Sequence, residues 1–272
     1  MGLGGHLTWT ATAREIYKKY NKKVFACERG KLINSIIFAN NKNFSDSPVN
    51  SIAVDLSRKE TNYCLSDSPD KAVLRTDKHI IEIQCEYYGI SNPDLKCDLF
   101  FTNEEVDNIN NLCKTLPKRF LTIEPNSKST YTVNRQYPFK KWQNVVRVLL
   151  KDIEIVQTGC KDSPLLDGVI DVRGKTSFRE ACLLIGKSDL FVSIEGGLVH
   201  GATATKTQSL VIIGGYASHK LIKYPDNFYI DISSHGHCGM KKMCELCKKD
   251  AETHDENSII KYIYEILSRR NG

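Results

Sequence analysis

From residue 119 onwards the chain alternates short apolar runs with amphipathic stretches, and this rhythm restricts the fold more than any other feature. The apolar runs fall at 119–124, 153–158, 168–171, 190–194, 209–213 and 228–232. Helical spacings lie between or after them at 142–150, 177–187, 200–205 and 256–269. Short runs that are apolar on both faces suit buried strands, and strand–helix–strand repetition closes only as a parallel sheet covered by helices.

The first part of the chain is less regular. Residues 2–6, rich in glycine, read as a turn that opens a helix over 10–20, with a strand at 23–27 and another at 51–56 among polar loops. The apolar stretch that ought to precede the glycines as a first strand is almost absent. A helix is expected over 79–88, stopped by Gly89. Another is expected over 103–116, capped by Thr102 or Asn103, with Glu104 and Glu105 at the positive end of its dipole. Pro125 ends a strand, and the polar run 126–136 reads as a linker. The expected organisation is therefore two α/β domains, 1–125 and 126–272, with the last helix packing back on the N-terminal domain.

Charge and hydropathy narrow the function. The formal net charge of +6 suits an anionic ligand such as a nucleotide diphosphate, or an acidic membrane surface. The lysines come in scattered pairs without an interleaved aromatic platform, which argues against nucleic acid. No apolar run approaches the roughly 18–20 residues of a membrane span, and the first residues lack a signal-peptide layout. These features predict a cytoplasmic protein, with peripheral contact at the inner membrane left open.

In a parallel α/β sheet, ligands sit beyond the carboxyl ends of strands. The segment 190–204 fits that position. A buried strand ends at Ile194, and Glu195, Gly196 and Gly197 make a turn where an anion can approach the backbone. The helix that follows offers unpaired N–H groups and the positive end of its dipole, with His200 placed to donate to a phosphate oxygen. The same pattern also fits a plain strand-to-helix turn. A second glycine turn, with Gly4 and Gly5, leads to His6, an imidazole suited to take a proton from an acceptor hydroxyl. A third feature is Tyr137-Pro-Phe-Lys-Lys-Trp142, whose lysine can neutralise a departing diphosphate or simply lie on the surface beside a core tryptophan.

The order of Gly-Leu-Gly-Gly-His6, Lys140-Lys-Trp142, Gly174-Lys-Thr-Ser-Phe-Arg-Glu180 and Glu195-Gly-Gly-Leu-Val-His200 resembles glycosyltransferase family 9, the ADP-heptose lipopolysaccharide heptosyltransferases and their relatives. The resemblance spans most of the chain and is best over 120–215. It implies a GT-B architecture: two Rossmann-like domains with mainly parallel sheets facing a cleft, acceptor on the N-terminal side and nucleotide-sugar on the C-terminal side. It also implies inverting transfer of a heptose or related sugar to a glycan or lipid-linked acceptor, with no cofactor required for catalysis. An ADP-sugar is the favoured donor, with GDP- and UDP-sugars as alternatives. Lys140 matches the family's diphosphate lysine, and Gly196, Gly197 and His200 match its Asp-Thr-Gly-Leu-x-His turn. The chain departs twice from that pattern. His6 stands where the family has the aspartate base, and Glu195 stands where it has aspartate. A chain that kept the donor half and lost the base would instead be a non-catalytic nucleotide-sugar-binding protein.

Late in the chain, Cys238, Cys244 and Cys247 form a cluster in which Cys244-x-x-Cys247 has chelating spacing and a nearby histidine can complete four ligands. The expectation is a structural zinc or iron, the alternative a loop of reduced thiols. A basic, metal-stapled nucleic-acid binder is the remote third reading.

Overall fold

The computed structural model describes residues 2–126 and 130–270; residues 127–129, in the middle of the expected linker, lie outside the described residues. The N-terminal part contains α1 (Leu3–Tyr20), β1 (Lys23–Glu28), β2 (Lys31–Leu32), β3 (Ser51–Asp55), β4 (Cys64–Asp67), β5 (Ala72–Leu74), α2 (Ile80–Tyr87) and α3 (Asn103–Cys113). There follow β6 (Leu121–Glu124), α4 (Phe139–Leu149), β7 (Ile155–Gln157), β8 (Ile170–Asp171), α5 (Phe178–Ile185), β9 (Leu190–Ile194) and α6 (Gly197–Ala204). The chain ends with β10 (Ser209–Ile213), α7 (His219–Ile222), β11 (Phe228–Asp231), α8 (Glu245–Thr253) and α9 (Asn257–Arg270).

Strands β6 to β11 form one parallel sheet in the order β11-β10-β9-β6-β7-β8. The chain starts in the middle, steps outward through β7 and β8, and then builds the other half from β9. This is the Rossmann order, and its switch point lies between β6 and β9. Every residue of β9 and β10 is buried, as a sheet covered on both faces requires. On one face, Leu121, Ile123, Val192 and Ile212 pack with Trp142, Val145 and Leu149 of α4 and Ile259, Ile263 and Ile266 of α9. On the other, Phe191, Val211 and Ile213 join a core that includes Leu7 and Ile16 of α1 and Ile81 and Ile83 of α2. The N-terminal unit has a smaller sheet, β2-β1-β3, with β1 and β3 parallel, plus the antiparallel pair β4-β5. The α/β architecture is thus the expected GT-B type, with a reduced N-terminal half.

Several boundaries differ from expectation. The division after residue 125 would strip the larger sheet of its central strand, because β6 pairs with both β7 and β9. The described residues 130–136 precede α4 of the same sheet unit rather than a second domain. Helix α9 packs on α4 and the large sheet rather than on the N-terminal domain, because its isoleucine stripe finds its apolar partners there.

The glycine motifs straddle the helix starts: Glu195 and Gly196 bend before α6 as expected, whereas Gly4, Gly5 and Gly197 lie within the first turns. Helix α1 begins at Leu3 and α6 at Gly197, three residues before His200. Glycine disfavours a helix interior by about 1 kcal/mol relative to alanine, which conceals these starts in the sequence. Packing explains the glycines: a Cβ on Gly4 would stand 2.8 Å from the Cα of Gly197, so the two helices touch backbone to backbone.

Candidate active site

The contact between Gly4 and Gly197 brings the N-termini of α1 and α6 together. Neither helix has a side-chain cap at its N-terminal residue, Gly2 or Gly196. The first N–H groups of a helix have no partner within it, and both dipoles present their positive ends here, so the junction suits an anion. Gly4 and Gly197 meet at this junction, with Gly5 and Gly196 next to them in the chain, so two glycine motifs far apart in the sequence are joined.

Glu195 lies beside the junction, just past the end of β9. Its Oε1 is 3.5 Å from Nη1 of Arg135, whose guanidinium lies over the rings of Tyr131 and Tyr216 at 5.8 and 5.7 Å. The two phenols are themselves joined at 3.0 Å. Burial pushes the Glu195 carboxyl up, while Arg135 pulls it back down. Glu195 Oε2 and Arg135 Nε are buried without a hydrogen-bond partner among the described residues. Buried polar atoms are nearly always paired, so two orphans at one ion pair leave hydrogen-bonding capacity that a water, an ion or a ligand can fill.

His200 falls in the second turn of α6, and its Nδ1 lies 2.5 Å from the hydroxyl of Tyr224. His79, the N-cap of α2, packs edge-on against the same phenol at 4.7 Å. Its Nδ1 accepts from the N–H of Ile81, and its Nε2 is a further buried orphan. Burial, joined at His200 by the Arg135 charge, holds both imidazoles neutral, His200 at about 4 and His79 at about 3.

His6 lies on the first turns of α1, with Nδ1 2.8 Å from Ser35 Oγ and its ring tilted over Phe38 at 5.4 Å. Partial burial lowers its pKa below 6.5. Ser35 Oγ also accepts from the N–H of Ile37. When Nδ1–H donates to Ser35, the Nε2 lone pair is left available as a base.

At the switch point itself, Glu124 ends β6, its carboxyl raised to about 8 by burial. The Cβ that Gly159 lacks would sit 3.6 Å from Glu124 Oε1, and Gly159 has φ +122. Two carboxyl groups, Glu124 and Glu195, thus lie at the carboxyl ends of β6 and β9, where a Rossmann sheet binds its ligand.

The glycosyltransferase family 9 (heptosyltransferase) profile matches residues 70–249. The chain belongs to glycosyltransferase family 9. It is accordingly a glycosyltransferase of the heptosyltransferase family. Comparison with curated proteins gives no match. Among solved structures it is similar to a family 9 glycosyl transferase from Veillonella parvula, at 10% identity over 99% of this chain and 95% of that one, with a TM-score of 0.70. It is also similar to TibC of enterotoxigenic E. coli, described as a dodecameric iron-containing heptosyltransferase in complex with ADP-D-beta-D-heptose. That match has 14% identity over 98% of this chain and 74% of that one, with a TM-score of 0.67. Against E. coli ADP-heptose LPS heptosyltransferase II the identity is 13% over 74% of this chain and 66% of that one, with a TM-score of 0.56.

Within this family 9 fold, Lys140 has no described hydrogen bond or ion pair. It is exposed on the first turn of α4, and no described contact joins it to Glu195 or His200. The neighbouring aromatic segment serves packing instead: Trp142 is fully buried, while Tyr137 and Lys141 hold His254 and Glu256 ahead of α9. Arg135 is the cation paired with Glu195, a position that a linker reading of 126–136 hides. The signal that could have found it is the rule that the loop after the first strand of a Rossmann sheet lies over the crevice.

The cysteine cluster assembles. His235, Cys244 and Cys247 offer ligand atoms all within 4.8 Å of one another, and Cys238 Sγ is 3.5 Å from Cys247 Sγ. His235, which the cysteine spacing alone did not single out, lies 3.5 Å from Cys247 Sγ through Nε2. The contact between the two thiols lowers Cys238 and raises Cys247, so Cys238 is the first of the pair to become a thiolate. Gly215 leaves room: a Cβ there would stand 2.6 Å from Cys247 Sγ and 3.0 Å from the His235 ring. One imidazole and three thiols fit a tetrahedral zinc or iron. The loop also holds the segment before α4, because Asn134 bonds the carbonyls of Met240 and Lys242 and the N–H of Cys244, next to Arg135. Among the described residues, no helix is long and apolar enough to cross a membrane.

Proposed function

We propose that this glycosyltransferase moves a heptose or related sugar from an ADP-linked donor to a hydroxyl acceptor, with inversion at the anomeric carbon. The observation that carries the reading is the meeting of the α1 and α6 N-termini at Gly4 and Gly197, beside Arg135. The donor diphosphate lies on those N–H groups with His200 and Arg135 as further donors, and the charge it gains as it departs is stabilised there. His6 Nε2 takes the proton of the acceptor hydroxyl, whose oxygen attacks the anomeric carbon as the carbon–oxygen bond to the diphosphate breaks. No step in this sequence calls on a metal at the reaction centre. The His235, Cys238, Cys244 and Cys247 cluster takes a structural zinc or iron that holds the loop carrying Asn134. The relative solved with ADP-D-beta-D-heptose supports the choice of donor. A glycan or lipid-linked acceptor and a cytoplasmic setting with peripheral membrane contact complete the reading.

The test is a thermal-shift series with ADP, GDP, UDP, CDP and their sugars, since a ligand of the native state raises stability by mass action. ADP and ADP-sugars should raise the midpoint most, and no shift with any of them would overturn the reading. His6→Ala should keep the ADP shift and lose transfer. Transfer at the normal rate would remove His6 from the base role.

A further inference from the structure

Tyr224 is fully buried, and its hydroxyl has two described neighbours, His200 Nδ1 at 2.5 Å and Cys97 Sγ at 3.6 Å. Its backbone is fixed as well, the N–H donating to Tyr229 Oη at 2.7 Å. Which atom carries which proton follows from chemistry. Burial raises the phenol well above its ordinary range and the Cys97 thiol to about 11, so both groups keep their protons at neutral pH. Sulfur is a poor acceptor, whereas a thiol can donate weakly to a phenol oxygen. The strong acceptor within reach of the Tyr224 O–H is therefore His200 Nδ1. The other imidazole nearby, His79, lies T-shaped to the phenol, and because its Nδ1 accepts from the Ile81 N–H its Nε2 carries the proton and cannot accept. A neutral imidazole that accepts at Nδ1 must carry its proton on Nε2.

The orientation is useful. Cδ2 of His200, the ring atom next to Nε2, would lie 3.1 Å from a Cβ on Gly4, so that edge of the ring faces the junction of α1 and α6. Arg135 bears on the same imidazole from the loop before α4, where its charge opposes protonation.

We infer that Tyr224 is a positioning residue for donor binding: its hydroxyl locks His200 as the Nε2–H tautomer and aims that neutral donor at the α1–α6 junction. The inference rests on the diphosphate site proposed above and deepens it. His200 binds the donor as an uncharged N–H, and the positive charge of the site comes from Arg135 and the helix ends.

The test has two parts. Nitrogen-15 NMR of histidine-labelled, unliganded protein at pH 7 should show His200 with a protonated Nε2 and an unprotonated, hydrogen-bonded Nδ1, and Tyr224→Phe should lose that signature. An Nδ1–H tautomer or an imidazolium in the unsubstituted protein would overturn the inference, whether or not a nucleotide binds. In ADP titrations, Tyr224→Phe should weaken binding by about threefold to tenfold, the scale of one oriented hydrogen bond. In a His200→Gln background the same substitution should change affinity little. An equal loss in both backgrounds would make Tyr224 merely structural and overturn the inference. The expected tautomer with no ADP binding at all would instead refute the donor reading while leaving the lock in place.

Discussion

Replacing Gly4 by alanine sets two effects of opposite sign against each other. In a helix the change alone should stabilise by about 1 kcal/mol, because glycine has more backbone freedom to lose on folding. Against that, the new methyl would stand 2.8 Å from Gly197 Cα and 3.1 Å from His200 Cδ2. The first of these is backbone and cannot rotate aside, so α1 and α6 must separate, and overpacking of this kind costs about 1–3 kcal/mol. The net expectation for Gly4→Ala is a loss of about 1 kcal/mol in urea denaturation at constant m-value. Separating the helix ends also weakens two charge–dipole contacts, each typically up to ~2 kcal/mol, so ADP affinity should fall by roughly tenfold. A variant that is more stable by about 1 kcal/mol and binds ADP normally would refute the claim that the glycines exist to join the two helix ends.

Other predictions follow from burial and from the loop. His79 stays neutral when folded down to about pH 3, whereas an unfolded histidine takes its proton near 6.5, so its contribution is full above that value and is lost as pH falls. Between pH 7 and 5 the protein should lose roughly 2 kcal/mol more than His79→Gln does, measured by urea titration at each pH. Glu124 has the opposite sign, because its folded pKa of about 8 is raised. Glu124→Gln should therefore stabilise more at pH 8.5 than at pH 5, and an equal effect at both would contradict its burial as a carboxyl. Purified protein should contain stoichiometric zinc or iron by elemental analysis. Cys244→Ser with Cys247→Ser should lose the metal, lower the melting midpoint and weaken ADP binding through Asn134; metal-free protein of unchanged stability would remove the cluster's structural role.

The sheet was legible because β9 and β10 are apolar on both faces, a pattern that burial alone accounts for. The caps at Thr102 and Ser177 are equally local, each closing a reciprocal box with a glutamate three residues on. What escaped was set by tertiary contact. The starts of α1 and α6 carry glycines that oppose helix locally and are explained only by their partner across the junction. Arg135 sits in a polar run with no periodicity, and its role depends on β6 lying beside β9, a pairing between strands far apart in sequence. Lys140 was the nearer match by motif order, yet α4 presents it to solvent. His235 joins the cysteines through a fold of the loop against Gly215 that spacing alone does not encode.

In the proposed function, the α1–α6 junction holds the donor diphosphate through Arg135 and the helix ends. Isothermal titration of ADP into the unsubstituted protein, Arg135→Lys and Lys140→Gln tests it directly, with melting midpoints recorded for each. Arg135→Lys loses the guanidinium fork and should weaken binding by about tenfold or more, while Lys140→Gln should bind as the unsubstituted protein does. Normal affinity in Arg135→Lys together with a large loss in Lys140→Gln would contradict the account and return the diphosphate to the first turn of α4.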